Sequence, residues 1–460
     1  MLKDLKFWDC FFWIFILFLL LYLHLTHGRV DSDNGIYLAG AWNIYNNLGI
    51  YTDFFSFTTP GVYYLLASAW KVVGVSYWLS WGIAILSILV TSGFIFKITA
   101  KINHLAAYLA VFLFVITTNS WAIITSYIFC LPFIFSAIYF FVVWLEKRQS
   151  NSIYWAGLLA GISVVFMQTI GLATLLSFII FLLYLYFSEK DRTIINKLVL
   201  FCFASFVPIM VIFLKWSPLF LYDNLVKFPL NNYSSTINSN YSLLFFSFFF
   251  LFIFGYAFGK RELGLNMKLI TLLNIWQFNL LLAALPNPDF VHVSFALVPL
   301  LMIFSLAVVK ILKIKSKIWF SLGVVASASF MFCLFSFYLV TYYINVSSIK
   351  FKTSSRELII FIKENCRTDY IYAGPFLPGI YFESKKLTPG PSSWLLTNHH
   401  PDDYFLETLK KLERFRPDCA VVNYEMVKKY KYNQNNVVDN YIFKNYRVIK
   451  TFGDTSVLKR

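Results

Sequence analysis

Carboxylates are costly beside lipid and tend to be placed there with purpose. Before residue 346, and outside the basic loops and the N-terminus, the chain has five: Asp31, Asp33, Asp53, Asp223 and Asp289. Three share one segment, RVDSDNGIYLAGAWNIYNNLGIYTDFFSFTTPGVYYLL over 29–66. The chemistry open to such an acid is proton abstraction, as a general base within hydrogen-bond reach of its substrate. Metal binding has less support. Asp33 and Asp53 stand 20 residues apart, and none of the six cysteines sits in a CxxC pair or near histidines at metal-site spacing.

These acids depend on an apolar scaffold. Of 460 residues, 59% are hydrophobic, and 13% are charged where a soluble domain carries about 25%. That balance excludes a soluble enzyme, a disordered chain and a nucleic-acid-binding module. The net charge of +16 therefore matters through its placement. Aromatic residues make up 20% of the chain, as interfacial belts require.

A membrane span needs about 20 apolar residues. Eleven stretches qualify: 7–25, 79–97, 103–119, 126–145, 153–167, 171–188, 198–216, 242–258, 268–285, 291–309 and 318–341. The first lacks a small-residue cleavage motif and reads as a retained anchor rather than a signal peptide. The segment 60–75 is apolar but short, and Lys71 interrupts it. Leaving it out of the spans puts 16 Lys and Arg in the loops of one face, against Arg29, Lys71, Lys215 and Lys227 on the other. The positive-inside rule then sets the N-terminus in the cytoplasm, 60–75 as a helix along the outer interface, and the C-terminus outside.

The acidic segment is thus the first outer loop, 26–78. Residues 34–48 set Tyr37, Ala41, Ile44, Tyr45 and Leu48 on one face of a short amphipathic helix. Gly49 ends it, and Asp53 follows in the turn. After residue 345 the composition becomes polar. Helix-like pieces (354–365, 402–415, 434–443) alternate with strand-like ones (369–374, 418–423, 446–452), which predicts a small α/β domain. Cys366 and Cys419 lie there and are free to pair if that domain meets an oxidising compartment. His399 and His400 precede a helix beginning with Asp402 and Asp403, so they read as part of its N-terminal cap rather than as metal ligands. The predicted architecture is a polytopic α-helical membrane domain over 1–345, with interfacial helices in its first outer loop, and an extracytoplasmic α/β domain over 346–460.

Within the first outer loop, three groups occur in order over about 35 residues: Asp33-Asn34-Gly35-Ile36-Tyr37, Gly49-Ile50-Tyr51-Thr52-Asp53 and Pro60-Gly61-Val62-Tyr63-Tyr64. Together they resemble the GT-C glycosyltransferases, in the bacterial branch akin to protein O-mannosyltransferases and lipid A aminoarabinose transferases. Weaker echoes are Gly157 and Gly161 leading to Met167-Gln168-Thr169, Asp289-Phe290-Val291-His292, and Pro378-Gly379-Ile380-Tyr381 in the tail. The resemblance implies an enzyme of a bacterial inner membrane, with no cofactor. It would move a sugar from a polyprenyl-phosphate donor to a glycan, lipid or protein acceptor at the outer face.

It also implies roles. Asp33 is the expected base and Asp31 its competitor. Asp53 is an acceptor-orienting acid, which in some members holds a metal, and Tyr37 belongs to the substrate surface. Many members carry Lys or His before the Pro, whereas here Thr58-Thr59-Pro60 stands. Positive charge for the phosphate must then come from elsewhere, with Arg29, Lys227 and His292 as candidates and Asp289 beside the last. Two other classes compete: a polysaccharide polymerase or ligase, and a lipid-linked-sugar transporter. A transporter would carry ionisable groups mid-membrane, where this chain has almost none.

Overall fold

The computed structural model describes residues 2–25, 32–118, 121–232, 265–285, 290–312 and 356–460. Helix α1 (Leu2–Leu25) is followed by α2 (Ser32–Tyr45) and α3 (Gly61–Val73), which lie in the long connection before the next long helix. The bundle continues with α4 (Tyr77–Ala100), α5 (His104–Thr118), α6 (Ser126–Lys147), α7 (Ser150–Phe166), α8 (Gln168–Glu189) and α9 (Thr193–Lys215). After α9 the chain runs through short helical pieces, α10 (Pro218–Tyr222), a π-helical turn (Asp223–Lys227) and α11 (Phe228–Asn232). Helices α12 (Leu265–Ala284), α13 (Phe290–Ala296) and α14 (Val298–Ile311) complete the described membrane part. Among the described residues, six helices are long and apolar enough to cross a membrane, and α5, α7 and α14 are shorter apolar helices. The expected spans at 242–258 and 318–341 lie outside the described residues.

Helix packing follows from small residues. On α7, a side chain at Gly157 would strike the carbonyl of Phe201, and one at Gly161 would strike that of Ser205, so α7 and α9 meet backbone to backbone. The stretch expected as one span at 291–309 is instead broken at Leu297. Pro299 cannot donate to the helix ladder. The buried amide of Gln277 on α12 fills the gap, its Nε2 donating to Ala296 O and its Oε1 accepting from Leu300 N, both at 2.7 Å.

The tail opens with a helix over 356–365, α15. It forms a four-stranded sheet in the order β1-β2-β4-β3. Strands β1 (Tyr372–Gly374) and β2 (Cys419–Val422) are parallel, joined through α16 (Gly379–Ser384) and α17 (Asp402–Phe415). Helix α18 (Val437–Asn445) leads to an antiparallel hairpin of β3 (Arg447–Phe452) and β4 (Thr455–Lys459). Cys366 and Cys419 form a disulfide with Cα atoms 5.6 Å apart, joining the end of α15 to β2.

One expectation needs correction. Helix α2 does not present an exposed polar face but is buried almost all round. Tyr37, Leu38, Ala41 and Ile44 pack into the membrane bundle, while Ala39 joins the core of the tail and Ile36 packs beside Phe376 and Trp394. The tail lies on the face predicted to be polar. Gly35 permits this, because a Cβ there would collide with the backbone of Gly379.

Candidate active site

The site grows from the first turn of α2. Asp33 sits in that turn and is exposed. Asn34, fully buried, accepts the Ile124 N–H on its Oδ1 at 2.8 Å. One turn further on, the Tyr37 hydroxyl meets Ser126 Oγ at 2.7 Å. Burial pushes the Tyr37 phenol well above its ordinary range, so it stays protonated, and Asp33 adds to the shift. Ser126 also lies 3.0 Å from Met167 Sδ. The next residue, Gln168, holds the loop strand before α3. Its Oε1 accepts from Thr59 N at 3.1 Å, and its Nε2 donates to Phe57 O at 2.7 Å. Thr58 and Thr59 are thereby buried, and the Tyr51 hydroxyl donates to Thr58 O at 2.7 Å.

The connector between α5 and α6 forms the opposite wall. Trp121 stacks on Phe295 with centroids 3.7 Å apart, and its Nε1 donates to Ser294 Oγ at 2.5 Å. Tyr127 stacks on Phe295 and meets His292 edge-on at 5.6 Å. His24, near the end of α1, is hydrogen-bonded to Thr118 at 3.0 Å, tying the first span to the same connector. Asn34 and Tyr37 on α2 are therefore joined to Ile124 and Ser126, and the neighbouring Tyr127 in turn meets His292.

The other expected residues are arranged differently. Asp53 stands beyond the far end of α2, whose 14 residues span about 20 Å. Its Oδ2 accepts from Gly49 N at 2.6 Å, which closes the turn. Lys227 is exposed on the π-helical turn and pairs with Asp223 at 3.4 Å. Arg29, Asp31 and Asp289 lie outside the described residues. Among the described residues, no three His, Cys, Asp or Glu side chains come together to hold a metal.

Sequence reasoning names Asn34 and Gln168 only as parts of motifs and gives them no role, and it does not single out Ser126, Trp121 or His24. The signal available for Gln168 was an amide at the head of an apolar span. Nothing in the sequence marks Ser126.

No curated protein sequence matches this chain. Residues 58–216 match a family described as dolichyl-phosphate-mannose-protein mannosyltransferase. The structure is similar to that of ArnT from Cupriavidus metallidurans bound to undecaprenyl phosphate, with a TM-score of 0.65 at 11% identity over 98% of this chain and 97% of that one. The apo state of the same ArnT gives a TM-score of 0.65 at 10% identity, over 99% and 98%. With an architecture shared along nearly its whole length and a third of its sequence matched to the mannosyltransferase family, the chain has the polytopic GT-C glycosyltransferase fold, completed by a small α/β domain.

Proposed function

We propose that this protein is an inverting membrane glycosyltransferase that takes a sugar from a polyprenyl-phosphate donor at the outer face of a bacterial inner membrane. The acceptor is a glycan, lipid or protein hydroxyl. Its oxygen attacks the anomeric carbon as Asp33 takes its proton. The bond from that carbon to the phosphate oxygen breaks, and the phosphate leaves with the electron pair. Because the leaving group is already weakly basic, one carboxylate suffices. Positive charge near the phosphate stabilises what develops there. His292 on the facing wall and Arg29 before α2 are the residues to supply it, since Lys227 already has Asp223 as a partner.

The observation that carries this reading is the exposed Asp33 in the first turn of a buried loop helix, within a GT-C fold. The similar ArnT structure holds undecaprenyl phosphate, which supports a lipid-linked donor here. The loop charges and the Cys366–Cys419 disulfide, a bond at home in oxidising compartments, support an outward-facing tail. The test is incubation of membranes with labelled polyprenyl-phosphate sugars, with and without chelator. Asp33→Asn should lower transfer by about 10²–10⁴-fold while the protein still folds. Full transfer by that variant would refute the assignment of the base.

A further inference from the structure

We infer that Asn34 is a positioning residue that holds Asp33 in register with the wall bearing His292. The inference rests on the function proposed above and assigns a role within it. Asn34 directly follows Asp33 and is fully buried. Its Oδ1 takes the Ile124 N–H at 2.8 Å, while its Nδ2 has no acceptor among the described residues. A buried donor without a partner is destabilising, so stability alone does not account for an amide at this position.

What the amide does is join two pieces that carry chemistry. On one side is the first turn of α2, with Asp33. On the other is the connector 121–125, which continues into Ser126 and Tyr127. Trp121 and Tyr127 grip Phe295 by stacking, and Tyr127 also touches His292. The Tyr37–Ser126 hydrogen bond is a second tie, one helical turn away. Two anchors one turn apart fix both the distance and the rotation of α2 against the connector. A displacement of about 1 Å at a reacting group costs up to 10²-fold in rate.

Asn34→Leu removes the tie while keeping the branched shape, although its two methyl groups are bulkier than the amide oxygen and nitrogen they replace. It leaves Ile124 N–H unpaired where Nδ2 was unpaired before, so the main cost to stability is the added bulk, and the melting temperature should fall by no more than about 10 °C. Turnover should fall by about tenfold or more, with the KM for the polyprenyl-phosphate sugar within about twofold. Asn34→Asp keeps an acceptor for Ile124 and should recover most of that loss. Ser126→Ala removes the second tie and should lower turnover by about threefold, again at constant KM, which carries the test if Asn34→Leu fails to fold.

The inference is overturned if Asn34→Leu or Ser126→Ala keeps full turnover. It is also overturned if turnover falls only in step with the folded fraction, or if Asn34→Asp is no better than Asn34→Leu. Asp33→Asn in the same assay separates the two levels. An active Asp33→Asn defeats the proposed function itself. An inactive Asp33→Asn beside a fully active Asn34→Leu defeats the role of Asn34 alone.

Discussion

The two sides of α2 are packed by different chemistry. Toward the bundle, apolar packing by Leu38, Ala41 and Ile44 is joined by directional contacts: Asn34 to Ile124, Tyr37 to Ser126, and the Gln168 clamp on the strand that follows. Toward the tail they are mostly shape and apolar area. Gly35 lies on Gly379, Ala39 enters the tail core, and Trp70 of α3 stacks on Phe382 at 5.0 Å. Directional bonds cross on that side too, from Trp42 Nε1 to Lys386 O at 3.1 Å and, in the loop that follows, from Phe55 N to Pro391 O at 2.5 Å. Hydrogen bonds fix angles, and close packing fixes distance. The bundle therefore aims the acid-bearing helix, and the tail presses it into place.

The harshest challenge to this contrast is Gly35→Val. Overpacking here pits a side chain against backbone that cannot give way, so a loss of about 3 kcal/mol is expected, with the tail undocked. Limited proteolysis between 346 and 460 would report the undocking. A stable, docked Gly35→Val would mean that close approach is not what holds the tail.

Next in size is a response to acid at the rim of the same seam. His400 sits among Phe55, Phe228, Trp394 and Tyr404, with centroids 4.3–5.9 Å away. Burial lowers its pKa to about 3, with the neighbouring His399 adding to the effect. The unfolded imidazole titrates near 6.5, so the unfolded chain binds the extra proton between those values. The His400 contribution is therefore complete above about pH 6.5 and drains as pH falls, by about 2 kcal/mol at pH 5, and His399, lowered to about 4 by burial, drains in the same direction. Thermal melts in detergent at pH 7.5 and pH 5 would measure it, and His400→Leu should lessen the slope, with His399 supplying the remainder.

On the bundle side, Tyr37→Phe removes one buried hydrogen bond. It should cost about 1 kcal/mol in unfolding measurements while leaving tail docking intact. The smallest effect belongs to the far end of α2. Asp53→Ala loosens an exposed turn, should shift the melting temperature by no more than about 2 °C, and should leave transfer within about twofold of wild type. A large loss of transfer there would shift the site's centre of gravity away from Asp33.

Much of this was legible in the sequence because it is periodic or local. Nine of the expected spans coincide with helices, although the one at 291–309 is broken at Leu297, and the helix predicted over 402–415 is found at Asp402–Phe415. What escaped is long-range. The partners of Asn34, Tyr37 and Gln168 lie 90, 89 and 109 residues away, and no window along the chain contains both ends. The face of α2 was misread for the same reason, since its cover arrives from the far end of the chain. Strand β4 was missed because Thr455–Lys459 is a short piece beside the C-terminus, with too little alternation to stand out.

The bond between Trp42 and residue 386 spans 344 positions. At a synthesis rate of about 5–20 residues per second, α2 waits about 20–70 s for the residue that Trp42 bonds to be made. Every ribosome-bound intermediate in that interval carries α2 without the surface that covers its second side, so the helix is fully packed only once residue 386 has been made.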